Sequence, residues 1–157
     1  MKIALINTGK TNEKYIREGI EVYIKRLQKY IPVVVEDVPE IKSGKGLSIE
    51  KQKEVEGNAL LKYMEKYDHI VVLDEKGIEL SSEEFADHIQ KQMNRGIKSL
   101  AFITGGAYGF SREVYNRSNE RISLSRMTFP HQLVRLIFIE QVYRAFTILN
   151  NEPYHHL

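Results

Sequence analysis

The chain has 157 residues, of which 42% are hydrophobic and 28% charged, with a formal net charge of +2 and no cysteine. One domain of this size buries roughly 70% of the surface its unfolded chain exposes, so its core needs neither a disulfide nor a structural metal. The net charge is too small to name a partner by itself, and the lack of cysteine fits a reducing, cytoplasmic compartment.

Residues 2–7 predict a buried strand. Asn7 breaks the first apolar run too early for a signal-peptide core. Ile16, Ile20, Tyr23, Ile24 and Leu27 recur at helical spacing, which predicts a helix from about Asn12 to Tyr30. The β-branched run 33–38, bounded by Pro32 and Pro39, predicts a second strand. Residues 39–47 read as a mobile loop, and Ser48 as the cap of a helix reaching about Lys66. Residues 69–74 are a short apolar strand, with Lys76-Gly77 as the turn that ends it. Ser81 and Glu84 have capping-box spacing for a helix to about Asn94, stopped by Gly96. Residues 100–104 predict a core strand, 111–116 a short helix and 122–124 a short strand. The last helix starts near Pro130 and stops near Asn150-Asn151.

Strands alternating with helices at this spacing predict an α/β fold: a single domain over 1–157, with a mostly parallel sheet and flanking helices. Ligands of such sheets bind beyond the carboxyl ends of the strands. Those ends are residues 7–9, 73–77, 104–109 and 124–128.

Several segments carry chemistry. Gly105-Gly106-Ala107-Tyr108-Gly109 follows a strand and precedes a helix, where backbone amides can approach a ligand. Its spacing is that of neither a dinucleotide fingerprint nor a P-loop. Residues 124–131, Leu-Ser-Arg-Met-Thr-Phe-Pro-His, form a polar connection that places His131 at a helix start, where a neutral imidazole can accept a proton. Asp74-Glu75 reads as the polar end of a strand entering a turn. Of seventeen residues from 133 to 149, twelve are apolar. A helix apolar nearly all round must be covered on more than one side, which suggests a homodimer. Arg135, Glu140 and Arg144 interrupt that run, and a membrane span needs about 20 mostly apolar residues, so no span is predicted. Arg135 and Arg144 need partners. Glu140 suits one, and a bound anion the other.

All 14 lysines lie at or before Lys98, whereas six of the nine arginines follow it. Arginine grips phosphate through a planar fork. Structural ion pairs with Glu113, Glu120, Glu140 and Glu152 would explain the same arginines. The tail Pro153-Tyr154-His155-His156 could stack on a base and touch phosphate, although by position alone an end should fray. His155-His156 is poorly spaced for a metal chelate, and no metal is expected. These residues leave open a noncatalytic RNA-binding dimer, or a nucleotide hydrolase using the glycine loop and Asp74.

In order, Gly105-Gly106-x-x-Gly109, Leu124-Ser125 with Thr128-x-Pro130-His131-x-x-x-Arg135, Glu140-x-x-Tyr143-Arg144-Ala145 and Pro153-Tyr154-His155 resemble the ribosomal RNA large subunit methyltransferase H family. The resemblance implies a SPOUT-class fold with a C-terminal trefoil knot, which general topology rules would not suggest. It implies a homodimer, S-adenosylmethionine as methyl donor, and N3 of a pseudouridine in helix 69 of 23S rRNA as acceptor, on the assembled ribosome. Carried onto this chain, Leu73, Gly105, Leu124, Ser125, Arg126, Met127, Thr128 and Phe129 would hold the donor. His131, Arg135, Arg144, Tyr154 and His155 would serve catalysis.

Overall fold

The computed structural model describes residues 1–41 and 46–156. Part of the predicted 39–47 loop, residues 42–45, therefore lies outside the described residues. The elements run β1 (Lys2–Thr8), α1 (Lys14–Leu27), β2 (Val33–Val38), α2 (Ile49–Met64), β3 (His69–Glu79), α3 (Ser82–Asn94), β4 (Ser99–Thr104), α4 (Arg112–Arg117), β5 (Glu120–Ser123) and α5 (His131–Leu149). The sheet has five strands in the order β2-β1-β4-β3-β5, and every pairing is parallel.

Alternation along the strands sorts the core into two layers. Ile3, Leu5, Val71, Leu73, Leu100 and Phe102 face α1, α3 and α5. Ala4, Ile6, Ile70, Val72, Ala101 and Ile103 face α2 and α4. The fold is a three-layer α/β/α sandwich. β5 lies at the sheet edge beyond β3, yet α5 packs against both α1 and α3. Much of the apolar girth of α5 is covered within the chain, by α1, α3 and the sheet.

Three elements depart from expectation. α1 begins at Lys14 because its entry is stabilised from a distance: the amides of Asn12 and Glu13 donate to Gln132 Oε1 at 2.8 and 3.1 Å. β3 continues past the predicted turn to Glu79, and Ile78 pairs with Ile122 after a register shift. A Cβ on Gly77 would stand 2.5 Å from the Ile122 carbonyl carbon, so this glycine serves a close backbone approach rather than a tight turn. β5 in turn spans 120–123, two residues earlier at its start than predicted. The Ser81–Glu84 capping box is present, with Ser81 Oγ accepting from the Glu84 amide and Glu84 Oε2 from the Ser81 amide.

Candidate active site

The carboxyl ends of β1, β2 and β4 are pinned to one another before any ligand arrives. Thr104 Oγ1 donates to Asn7 Oδ1 at 2.8 Å, Asn7 Nδ2 to Asp37 Oδ1 at 2.9 Å, and Thr8 Oγ1 to the Thr104 carbonyl at 3.1 Å. Beyond the strand ends opens a cavity of about 510 Å³. Its walls are the stretch of β3 around its register shift (Leu73 to Lys76), the glycine loop after β4, and Phe129, His131 and Val134. An adjoining cavity of about 160 Å³ shares Leu73 and Phe129 and adds Leu124, Ser125, Met127 and Thr128.

Seven of the eight expected donor-binding residues thus line one connected recess. The exception is Arg126, whose side chain is 89% exposed and lies 3.5 Å from Glu79. The 124–129 segment is shaped by its own serines: Ser123 Oγ donates to the Ser125 carbonyl at 3.1 Å, and the Met127 amide donates to Ser125 Oγ at 2.9 Å.

The recess combines apolar and charged wall, with Lys53 and Lys76 lining it beside the acids. Leu73, Phe129 and Val134 supply apolar wall, Asp74 and Glu75 supply carboxylates, and the volume lies within the range of small-ligand sites. A Cβ on Gly106 would stand 3.0 Å from Glu56 Oε2 and 3.4 Å from Thr8, so the loop's backbone itself forms the wall there.

Asp74 carries more than the polar strand end read from the sequence. Its Oδ1 accepts from the Lys76 amide at 2.8 Å, and its Oδ2 accepts from the hydroxyl of Tyr115 on α4. Burial, followed by that hydrogen bond, pushes the Tyr115 phenol up to about 12. Tyr115 also lines the larger cavity. No motif marked it, because its role depends on α4 packing beside β3.

The five expected catalytic residues divide into separate groups. His131 opens α5, preceded by Pro130 as the capping residue rather than as part of the first turn, and it lies on the cavity rim. Arg135, one turn on, is 1% exposed. Its guanidinium donates to the Thr8 carbonyl at 2.7 Å and to Thr11 Oγ1 at 2.8 Å, while Nε is buried without a partner among the described residues. Burial holds its pKa below the usual arginine value, partly offset by Asp37 and Glu40. In this arrangement Arg135 ties α5 to the loop after β1 and offers no face to an anion.

Arg144, Tyr154 and His155 meet at the other end of α5, and the tail is packed rather than frayed. Arg144 Nη2 donates to Glu140 Oε1 at 2.5 Å, and the Tyr154 hydroxyl donates to the same oxygen at 3.0 Å. The Arg144 guanidinium lies 4.8 Å from the Tyr154 ring centroid and its Nη1 is 3.3 Å from His155 Nδ1. The hydrogen bond to Glu140 raises the Arg144 pKa. Burial, with hydrogen bonds to Tyr23 and Glu140, raises that of Tyr154 and keeps its phenol neutral. Thirteen residues of helix separate His131 from Arg144, or about 20 Å at 1.5 Å per residue. In the single chain, His131 and Arg144 thus stand at different ends of α5.

Glu140 serves Arg144, as the sequence suggested. Of the other acids offered as arginine partners, Glu120 receives His69 at 2.6 Å and Glu152 receives Lys29 at 3.2 Å. Among the described residues no helix is long and apolar enough to cross a membrane.

Residues 1–155 match the family model described as predicted SPOUT methyltransferase. Over 156 residues, 99% of each chain, the sequence is 54% identical to the ribosomal RNA large subunit methyltransferase H of Parabacteroides distasonis. It is 52% identical, over the same span and coverage, to the protein of that name from Christiangramia forsetii. Among solved structures it resembles a probable methylase family protein from Haemophilus influenzae Rd KW20, with a TM-score of 0.51 and 13% identity, covering 96% of this chain and 66% of that one. It also resembles TrmJ from Z. mobilis ZM4, with a TM-score of 0.50 and 11% identity, covering 99% of this chain and 72% of that one. At such identities the structural likeness shows the fold alone.

Proposed function

Since this chain belongs to the SPOUT methyltransferase family, we propose that it methylates RNA of the large ribosomal subunit with S-adenosylmethionine as donor. The observation that carries this reading is the recess at the strand ends, where Leu73, the glycine loop and residues 124–129 converge beside His131. The finer assignment is N3 of a pseudouridine in helix 69 of 23S rRNA, reached on the assembled ribosome in the cytoplasm. The family's trefoil knot would involve the connection 124–130, which carries the chain from β5 at the sheet edge to α5.

When bound, S-adenosylmethionine supplies an activated methyl group. Leu73, Phe129 and the backbone at Gly105 and Leu124–Thr128 would enclose it, with Asp74 and Glu75 near its positive centre. The acceptor nitrogen carries a proton and becomes a nucleophile only as that proton leaves. His131, on the cavity rim, accepts it. Arg144 faces the negative charge that develops on the base, or the standing charge of an adjacent phosphate, and Tyr154 supports the base by stacking. Arg135 contributes by holding the floor of the site.

The distance along α5 supports a site completed by a second copy. His131 and the recess come from one protomer; Arg144, Tyr154 and His155 come from its partner. The part of α5 left half-buried in the single chain, including Leu133 and Ile137, is the surface on which a partner would pack. The test is methyl transfer from labelled donor to ribosomes and to free 23S rRNA, with mapping of the modified nucleotide. A single labelled pseudouridine in helix 69, on ribosomes rather than free RNA, is expected. Label elsewhere, or none, overturns the assignment.

A further inference from the structure

His155 has both ring nitrogens engaged. Nδ1 faces Arg144 Nη1 at 3.3 Å, and Nε2 faces Glu83 Oε1 at 2.6 Å. A guanidinium has only donors, so Nδ1 must be the acceptor. A carboxylate has only acceptors, so Nε2 must carry the hydrogen. The two contacts together specify the neutral Nε2–H tautomer, since a doubly protonated ring would set an N–H against the arginine's own N–H.

Glu83 is suited to fix that form. It lies in the first turn of α3, and its carboxyl is held down at about 2 by the Ser81 hydroxyl, its own backbone amide and His155, in that order. At the other end of the relay, Arg144 is gripped from two sides. Glu140 takes Nη2, His155 takes Nη1, and the Tyr154 ring lies beside the guanidinium. These bonds use two of its five donors and leave the others for substrate oxygens. Arg144 is three-quarters buried, so its direction is set by these partners.

We propose that Glu83 is a positioning residue of the methyl-transfer site, which fixes His155 in its Nε2–H form so that His155 aims Arg144 at the RNA. His155 then is not the proton acceptor, because its only lone pair already serves Arg144; that role stays with His131. The inference rests on the function proposed above for Arg144, but its geometric half does not depend on it.

The test uses the full chain with ¹⁵N-labelled histidine, as wild type, Glu83→Ala and Glu83→Gln. Histidine ¹⁵N–¹H spectra at pH 8 read the tautomer, and single-turnover methyl transfer to saturating ribosomes reads the consequence. His155 of the wild type is expected as Nε2–H. Glu83→Ala should mix the tautomers and slow methyl transfer by about tenfold or more, with donor affinity unchanged. The amide oxygen introduced by Glu83→Gln still accepts from Nε2–H, so this variant should keep the tautomer and lose no more than about threefold. A wild-type His155 protonated on Nδ1 or on both nitrogens overturns the proposal, as does a Glu83→Ala rate within about twofold of wild type. If the wild type transfers no methyl to ribosomes, the function proposed above fails, while the tautomer still decides the relay.

Discussion

The hydroxyl of Tyr115 donates to Asp74 Oδ2, which fastens the short helix α4 to β3 at the wall of the recess. One bond thereby joins a residue with no motif to a residue that the sequence placed at a strand end. Its consequences are open to measurement.

Tyr115→Phe should weaken donor binding by about threefold to tenfold, through loss of one charge-assisted hydrogen bond that orients Asp74. Calorimetric titration with S-adenosylmethionine checks this. The phenol also gives a pH signature. Its folded pKa, about 12, is raised above the ordinary tyrosine value, so its contribution to stability is complete below about pH 10 and is lost as pH rises toward 12. The melting difference between wild type and Tyr115→Phe should therefore shrink across that window. A difference that grows with pH contradicts the assignment.

Arg135 should act first on stability. Arg135→Ala removes the donors of the Thr8 carbonyl and Thr11 Oγ1 and leaves a void beneath α5, at a cost of about 3 kcal/mol. Arg135→Lys should recover only part of this, because a point charge cannot reproduce the planar fork. Urea denaturation distinguishes them. Full stability with lost activity would instead make Arg135 a direct substrate contact.

Gly77→Ala places a Cβ 2.5 Å from the backbone of Ile122. The edge strand β5 must shift, carrying with it the 124–129 segment that follows. A loss of about 2 kcal/mol is expected, together with weaker donor binding, since the same displacement reaches both. Thermal melting and the calorimetric titration should move together. Unchanged melting would restore the turn reading of this glycine.

Gln132→Ala should cost about 1 kcal/mol, as the Asn12 and Glu13 amides lose their shared acceptor. Hydrogen exchange localises the effect: amides 12–16 should lose protection while those of β4 keep theirs.

Much of the layered fold was legible because it depends on local pattern. The apolar runs 2–7 and 100–104 mark strands buried on both faces, and the Ser81–Glu84 spacing marks a helix start that the structure reproduces. What sequence reading missed depends on contacts between distant segments. Gln132 shortens α1 from across the fold, and a neighbouring backbone, not a turn, demands Gly77. The recess was legible through the resemblance at Leu73, Gly105 and 124–129, but Tyr115 enters it only through packing. The tail read as an end that should fray; its order comes from Glu83, Glu140 and Arg144, on two helices far apart in sequence. Spacing also set His131 and Arg144 on one helix without showing that Arg144 joins the tail while His131 lines the recess.

That separation is open to the most direct test. His131→Ala and Arg144→Ala chains are each prepared alone, then unfolded together, refolded as a mixture and assayed for labelled methyl transfer to ribosomes. Each variant alone should be nearly inactive. Random pairing makes about half of the dimers mixed, each with one intact composite site, so the mixture should recover about a quarter of wild-type activity. Activity no higher than that of the separate variants would contradict a site shared between two copies of this chain.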